Sequence, residues 1–259
     1  MDSGVPATLP PLTRRLLGWE IIVVFAVSLG ASALFAVINL IGSLTAPKAL
    51  RQQQALLVGS LAPGRPLLDL TLQLAGIITT LAPVALVFYL LAREGEGPSA
   101  LGIDTTRPGS DLARGAALAA VIGGSGLALY IAAFHLGISL NVVPENLPAV
   151  WWRIPVLILD AAQNGILEEI LVLGYLLRRL DQLGWASGKA IALAAVVRGS
   201  YHLYQGFGGF IGNAILGVIF GVLYKRWGRV TPMIIAHTLI DAGAFVGYAV
   251  LHGHVSWLP

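Results

Sequence analysis

Long runs of apolar residues, separated by short polar connections, dominate the pattern of the chain. A helix of roughly 20 such residues crosses the ~30 Å hydrocarbon core of a membrane. The connections are rich in Pro and Gly, which end helices. The pattern therefore predicts an all-α, polytopic membrane protein with about seven transmembrane helices. The predicted segments are 18–43, 66–92, 113–138, 148–177, 187–204, 207–224 and 230–252.

The fourth segment, at 148–177, is longer than one span requires. A break near Asp160 would divide it into two helices and raise the total to eight. The pattern also predicts three parts in the chain: a cytoplasmic tail at 1–17, N-terminal transmembrane helices at 18–147, and a core at 148–254. We expect the chemistry to reside in the core.

Composition supports the membrane class. Hydrophobic residues make up 56% of the chain and charged residues 11%, whereas soluble domains carry about 25% charged residues. This balance excludes a disordered chain, a nucleic-acid binder and an ordinary water-soluble enzyme. The net charge of +3 is explained by basic loops, most of which lie on one side if the N-terminus is cytoplasmic. The chain contains no Cys, which excludes a Cys nucleophile and Cys-ligated zinc.

Polar side chains stand out inside the C-terminal apolar segments. A charge at the bilayer centre costs at least about 2.5–3.5 kcal/mol, so such residues are candidates for function. Several of them recur at a spacing of four, which places them on one helix face. They are Asp160, Asn164 and Glu168, followed by Glu169, on the fourth segment, Arg198 and His202 on the fifth, and His237 and Asp241 on the seventh.

Depth along the helices predicts that these side chains converge. Counting ~1.5 Å per residue from the flanking basic residues places Glu168, His202, His237 and Asp241 at a similar level. Two imidazoles and two carboxylates suit proton transfer to and from water. They also match a zinc ligand set, for which Glu168, His202 and His237 are the candidates. The residues alone leave both chemistries open.

The polar residues of the core resemble the motifs of the CPBP intramembrane proteases. Glu168-Glu169, His202, and His237 with Asp241 are similar to Glu-Glu-x-x-x-Arg, Phe-x-x-x-His and His-x-x-x-Asn/Asp. That family includes the type II CAAX prenyl endopeptidases and bacterial Abi-type immunity proteins. The resemblance implies that Glu168 activates water, that His202 assists it or stabilises an oxyanion, and that His237 and Asp241 complete the site.

The same resemblance implies partners and a location. The partners would be membrane lipid and a peptide or lipopeptide substrate, and the location would be a bacterial plasma (inner) membrane. Family members have been described with a glutamate mechanism and with a metal mechanism, so zinc is either absent or held by the three residues named above. Asp160, Asn164 and Arg198 would support the site or line a path to it.

Two positions depart from the family pattern. The Arg of the first motif would fall at Leu173, and the Phe of the second at Arg198. We hypothesise that Arg198 supplies the missing charge from the neighbouring helix.

Three functions therefore stay open at this point: an intramembrane endopeptidase, an inactive Abi-like binding or immunity protein, and a proton- or cation-coupled transporter. The Leu at position 173 favours the inactive binding protein. The chain shows no repeated halves, which transporters often have. The polar set is also confined to the C-terminal half. Both observations favour the enzyme over the transporter.

Overall fold

The computed structural model describes residues 11–252, and most of them are helical. The first half contains α1 (Pro11–Ala26), α2 (Leu29–Thr45), α3 (Pro66–Thr80), α4 (Ala82–Arg93) and α5 (Pro108–His135). The second half contains α6 (Arg153–Glu168), α7 (Arg178–Gln182), α8 (Ser187–Ser200), α9 (Phe207–Trp227) and α10 (Thr231–Leu251). Residues 1–10 of the predicted tail lie outside the described residues, and α1 begins at Pro11.

Within residues 11–252, four stretches of helix are long and apolar enough to cross a membrane: α3 with α4, α5, α9 and α10. A fifth results if α1 and α2, which meet at a 54° bend, count as one span. The prediction of seven spans is therefore not confirmed. α8 has only 14 residues, which is ~21 Å of helix and less than the ~30 Å core. Polar site residues lie on α6 and α8, which are not among these spans, and on α10, which is.

A π-helix follows α6 without a break and covers Glu169–Leu177. The predicted alternative of a break near Asp160 is wrong, because Asp160 lies inside the continuous helix α6. The change in backbone geometry comes later, between Glu168 and Glu169. π-helical turns are rare and occur frequently at functional sites. All nine residues of this π-helix are buried, so the irregular turn lies in the centre of the protein.

The described residues are mostly helical, as predicted, and they also contain a small parallel sheet that the apolar pattern did not predict. Strand β1 (Gln54–Val58) pairs with β2 (Asn141–Glu145), with Gln54 opposite Asn141. Parallel strands need a crossover connection, and here α3, α4 and α5 provide it. Each strand has only five residues, and both lie in connections that the apolar pattern assigned to loops.

Two glycines set the close packing of the helices around the π-helix. A side chain at Gly165 would meet Thr238 Oγ1 at 2.7 Å, so α6 approaches α10 directly. A side chain at Gly199 would meet the Phe210 ring at 2.8 Å, so the end of α8 is pressed against α9. These approaches bring the polar positions of α6, α8 and α10 to one another.

A buried arginine links two loops at one end of the helices. Arg229, between α9 and α10, binds Asp111 through Nε and Nη2 and binds Asp104 through Nη1, at 2.6 to 3.0 Å. Its Nη1 also donates to Thr106 Oγ1. We call Arg229, Asp104, Asp111 and Thr106 the Arg229 cluster. It fixes the start of α5 to the start of α10.

Candidate active site

Three stretches of the chain bring most of the predicted site residues together. Glu168 ends α6 and Glu169 begins the π-helix. Arg198 lies in the last turn of α8, and His202 follows in the turn that joins α8 to α9. His237 and Asp241 lie on successive turns of α10.

Glu168 is the carboxylate that faces His202. Its Oε2 accepts a hydrogen bond of 2.8 Å from the Tyr201 hydroxyl and lies 3.5 Å from Arg198 Nη2. Its Oε1 lies 4.0 Å from His202 Nε2, and the two side chains are 11% and 13% exposed. Both side chains are therefore mostly buried, but each keeps a small exposed surface. The Oε1 to Nε2 distance is too long for a direct hydrogen bond, and it is short enough for one water to bridge the two atoms.

The adjacent Glu169 has a different environment. Its side chain is fully buried, with Oε1 2.7 Å from Arg198 Nη1 and 2.7 Å from His237 Nδ1. Arg198 Nη2 lies 3.1 Å from the same His237 nitrogen. We call Glu168, Glu169, Arg198 and His237 the Arg198 cluster. Its two carboxylates share one guanidinium, so Glu169 is neutralised inside the protein while Glu168 keeps a free oxygen.

The Arg198 cluster is not fully satisfied. Among the described residues, Glu169 Oε2 and Arg198 Nε and Nη1 are buried and make no hydrogen bond. The 2.7 Å approach of Nη1 to Glu169 is therefore an ion pair whose angle is unsuited to a hydrogen bond. Buried charged groups without complete hydrogen bonding are costly. In native structures such groups call for an explanation, and a catalytic role is one of the recognised explanations.

The first departure from the family pattern, Leu173, is explained by packing. Leu173, at the position of the family Arg, is fully buried among Leu171, Val172 and Leu177 in the main apolar core. An arginine there would place an unpaired charge among apolar side chains. A guanidinium is nonetheless present beside both carboxylates, because Arg198 on α8 contacts Glu168 and Glu169.

Of the remaining predicted residues, Asp241 and Asn164 connect to His237, whereas Asp160 does not. Asp241 lies 3.5 Å from His237 Nε2 and accepts a hydrogen bond of 3.2 Å from Asn164. Asp160 is one helical turn before Asn164, and its side chain makes no hydrogen bond or ion pair within residues 11–252. Asn164 and Asp241 are thus joined to His237, whereas Asp160 stands apart from the cluster.

The predicted zinc ligands do not fit a zinc site as they are placed. No three His, Asp or Glu side chains in the described part of the chain converge as a metal-binding group. Of the three predicted ligands, His237 directs Nδ1 towards Glu169, and Glu168 lies beside the guanidinium of Arg198. A fixed cation already balances these carboxylates, and it would repel a second one.

Tyr201 is a site residue that the sequence reasoning missed. Its hydroxyl donates to Glu168, and its ring centroid lies 4.7 Å from that of His202. The sequence analysis selects charged, amide and imidazole side chains inside the apolar segments, and a tyrosine is none of these. The available signal was its position, three residues after Arg198 and directly before His202.

Comparison with known proteins gives one finding. Residues 150–243 match a family model described as type II CAAX prenyl endopeptidase, Rce1-like. No curated protein and no solved structure matches the chain. The matched range contains the complete Arg198 cluster and Asp241. The resemblance that the three motifs predict is confirmed, because residues 150–243 are similar to this family, which is consistent with the CPBP family of intramembrane proteases.

Proposed function

We propose that the protein is an intramembrane endopeptidase in which Glu168 activates a water molecule. The observation that carries this proposal is the 4.0 Å separation of Glu168 Oε1 and His202 Nε2. A water at about 2.8 Å from each atom would bind to both. A general base reaches its proton directly or through hydrogen-bond distances of this kind.

The tautomer of His202 supports a role in holding that water. Its Nδ1 lies 3.0 Å from the carbonyl oxygen of Arg198, which can only accept, so Nδ1 carries the proton. In the neutral ring, Nε2 is then an acceptor. The water would donate one hydrogen to Glu168 Oε1 and the other to His202 Nε2. Its lone pair would point away from both, towards a substrate carbonyl. Of the two roles considered for His202, the geometry favours assisting the water.

The chemical step then follows. Glu168 takes a proton from the water as the water oxygen forms a bond to the carbonyl carbon of the peptide. The resulting tetrahedral intermediate expels the amine when the carbon–nitrogen bond breaks. Glu168 returns the proton to the leaving nitrogen. The products are a carboxylic acid and an amine, and the enzyme returns to its starting state.

Arg198, Glu169, His237 and Asp241 would keep this site in order. Arg198 and Glu169 form the buried ion pair behind Glu168, and Asp241 orients His237 from the other side. We propose that Arg198 supplies the positive charge that the family motif places on the preceding helix. Asp160 and Asn164, on the same helix as Glu168, would line a polar path for water or substrate.

The substrate class follows from the family match. We propose a peptide or lipidated peptide that reaches the site from the membrane, and a prenylated CAAX peptide is the first one to test. The proposed location is a bacterial plasma membrane, with the N-terminus in the cytoplasm because basic loops favour that side. Membrane lipid would surround the apolar helices.

The test compares wild type with Glu168→Gln, which keeps the size of the side chain and removes the base. Protein termini in cells that express either form at equal levels would be identified by mass spectrometry. Any cleavage found would then be repeated with purified protein. We expect Glu168→Gln to lower the cleavage rate by about 10²- to 10⁴-fold.

The matched control is Glu96→Gln, a glutamate that pairs with Arg178 away from the site. The control should cleave at the wild-type rate. If the same new termini form at equal rates with Glu168→Gln, the proposed function is rejected.

A further inference from the structure

Tyr201 occupies a position from which it can control the catalytic carboxylate. The residue is 5% exposed and belongs to the main apolar core. It begins the turn between α8 and α9, and the amide of the next residue, His202, donates 3.0 Å to the Gly199 carbonyl. Because Gly199 is pressed against Phe210, this turn has little freedom to move. The Tyr201 hydroxyl is therefore held in place by the backbone and the core.

The two oxygens of Glu168 differ in their surroundings. Oε2 accepts from Tyr201 at 2.8 Å, whereas Oε1 faces His202. Arg198 does not fix this carboxylate in the same way, since its Nη2 is 3.5 Å from Oε2 and 3.1 Å from His237 Nδ1. Among the described residues, Tyr201 gives Glu168 its one short side-chain hydrogen bond.

We propose that Tyr201 is a positioning residue that holds Oε2 of Glu168 so that Oε1 points at the water. This inference rests on the proposed function of Glu168 as a base. A carboxylate on a flexible side chain can rotate, and a base that is displaced by about 1 Å can lose on the order of 10²-fold in rate. Tyr201 prevents that rotation through a group that does not itself touch the substrate.

The chain offers a closely matched control for this proposal. Tyr175 is also buried, at 1% exposure, and its hydroxyl donates to a carboxylate, that of Glu20, at 2.9 Å. That pair lies beside Arg179, in a cluster with Glu94. Tyr175→Phe therefore removes the same kind of hydrogen bond as Tyr201→Phe, but away from the catalytic glutamate.

The experiment measures kcat, KM and thermal stability for wild type, Tyr201→Phe and Tyr175→Phe in full-length protein in detergent, with the cleavable peptide as the probe. We expect Tyr201→Phe to lower kcat by about 10- to 100-fold, with KM unchanged, because the carboxylate is misdirected and the binding surface is kept. Tyr175→Phe should keep the wild-type kcat. Both variants should lose similar thermal stability.

Two results would overturn the proposal. One is a wild-type kcat in Tyr201→Phe while Glu168→Gln is inactive, which separates this failure from a failure of the proposed function. The other is an equal loss of kcat in both tyrosine variants, which would assign Tyr201 a structural role only. A second readout uses Glu168→Asp, whose side chain is too short to accept the hydrogen bond from the Tyr201 hydroxyl. Adding Tyr201→Phe to that variant should then cost less than it costs in wild type.

Discussion

The Arg198 and Arg229 clusters each place a buried arginine beside two carboxylates, but they satisfy it differently. Arg229 donates from Nε, Nη1 and Nη2, and it binds Asp111 with two nitrogens. Arg198 is entirely buried, yet its Nε and Nη1 make no hydrogen bond within the described residues. The comparison distinguishes two roles of a buried arginine. Arg229 ties loops together, whereas Arg198 balances an acidic site while leaving one carboxylate available.

The substitution Arg198→Leu should have the largest effect. Removing one partner of a buried ion pair typically costs about 3–5 kcal/mol of folding stability, here because Glu169 would be left without its cation. We also expect the cleavage activity of the folded protein to be lost, because Glu168 would no longer have a cation beside it. Thermal unfolding and peptide cleavage in detergent measure the two effects.

A second variant separates stability from chemistry at Arg198. The double substitution Arg198→Leu with Glu169→Gln removes both charges and should recover much of the lost stability. Activity should stay absent. If Arg198→Leu leaves both activity and folding unchanged, the idea that Arg198 replaces the family arginine is wrong.

Arg229→Leu should lower stability and spare the chemistry. It leaves Asp111, at 1% exposure, without its partner, and we expect a loss of about 3 kcal/mol. Cleavage per folded molecule should equal that of wild type at a temperature where both are folded. A selective loss of kcat in this variant would show that the two clusters are not independent.

Lowering the pH should also destabilise the Arg229 cluster, but by less than the substitution Arg229→Leu does. Hydrogen bonds from Arg229 and Thr106 hold the pKa of Asp104 well below its ordinary value. A carboxyl group whose pKa is lowered by folding stabilises the protein at neutral pH, and this stabilisation is lost as the pH falls below about 4. The melting temperature of wild type should therefore drop more steeply on acidification than that of Asp104→Asn. Parallel curves for the two proteins would contradict this assignment.

The sequence predicts which polar side chains come together better than it predicts the helices that carry them. Spacings of four identify the polar positions of α6, α8 and α10, because a charge in an apolar run is conspicuous. The length of α8 and the small sheet escape the same reasoning, since an apolar run does not reveal where its helix ends. The π-helix at Glu169–Leu177 is likewise invisible, because its residues are those of an ordinary buried helix. Tyr201 is missed because its role depends on a partner from another helix.

The π-helix at Glu169–Leu177 has a consequence for how this chain is compared with its relatives. In a π-helix each backbone hydrogen bond joins residues five positions apart instead of four. Each turn therefore contains more residues than a turn of α-helix does. Counting residues from Glu168 to Leu173 therefore does not measure the angle between their side chains as it would in a regular helix. A relative with an uninterrupted α-helix here would present a different face at the same aligned position. Equivalent residues in this segment therefore have to be assigned by the directions of their side chains in superposed structures, and not by their positions in a sequence alignment.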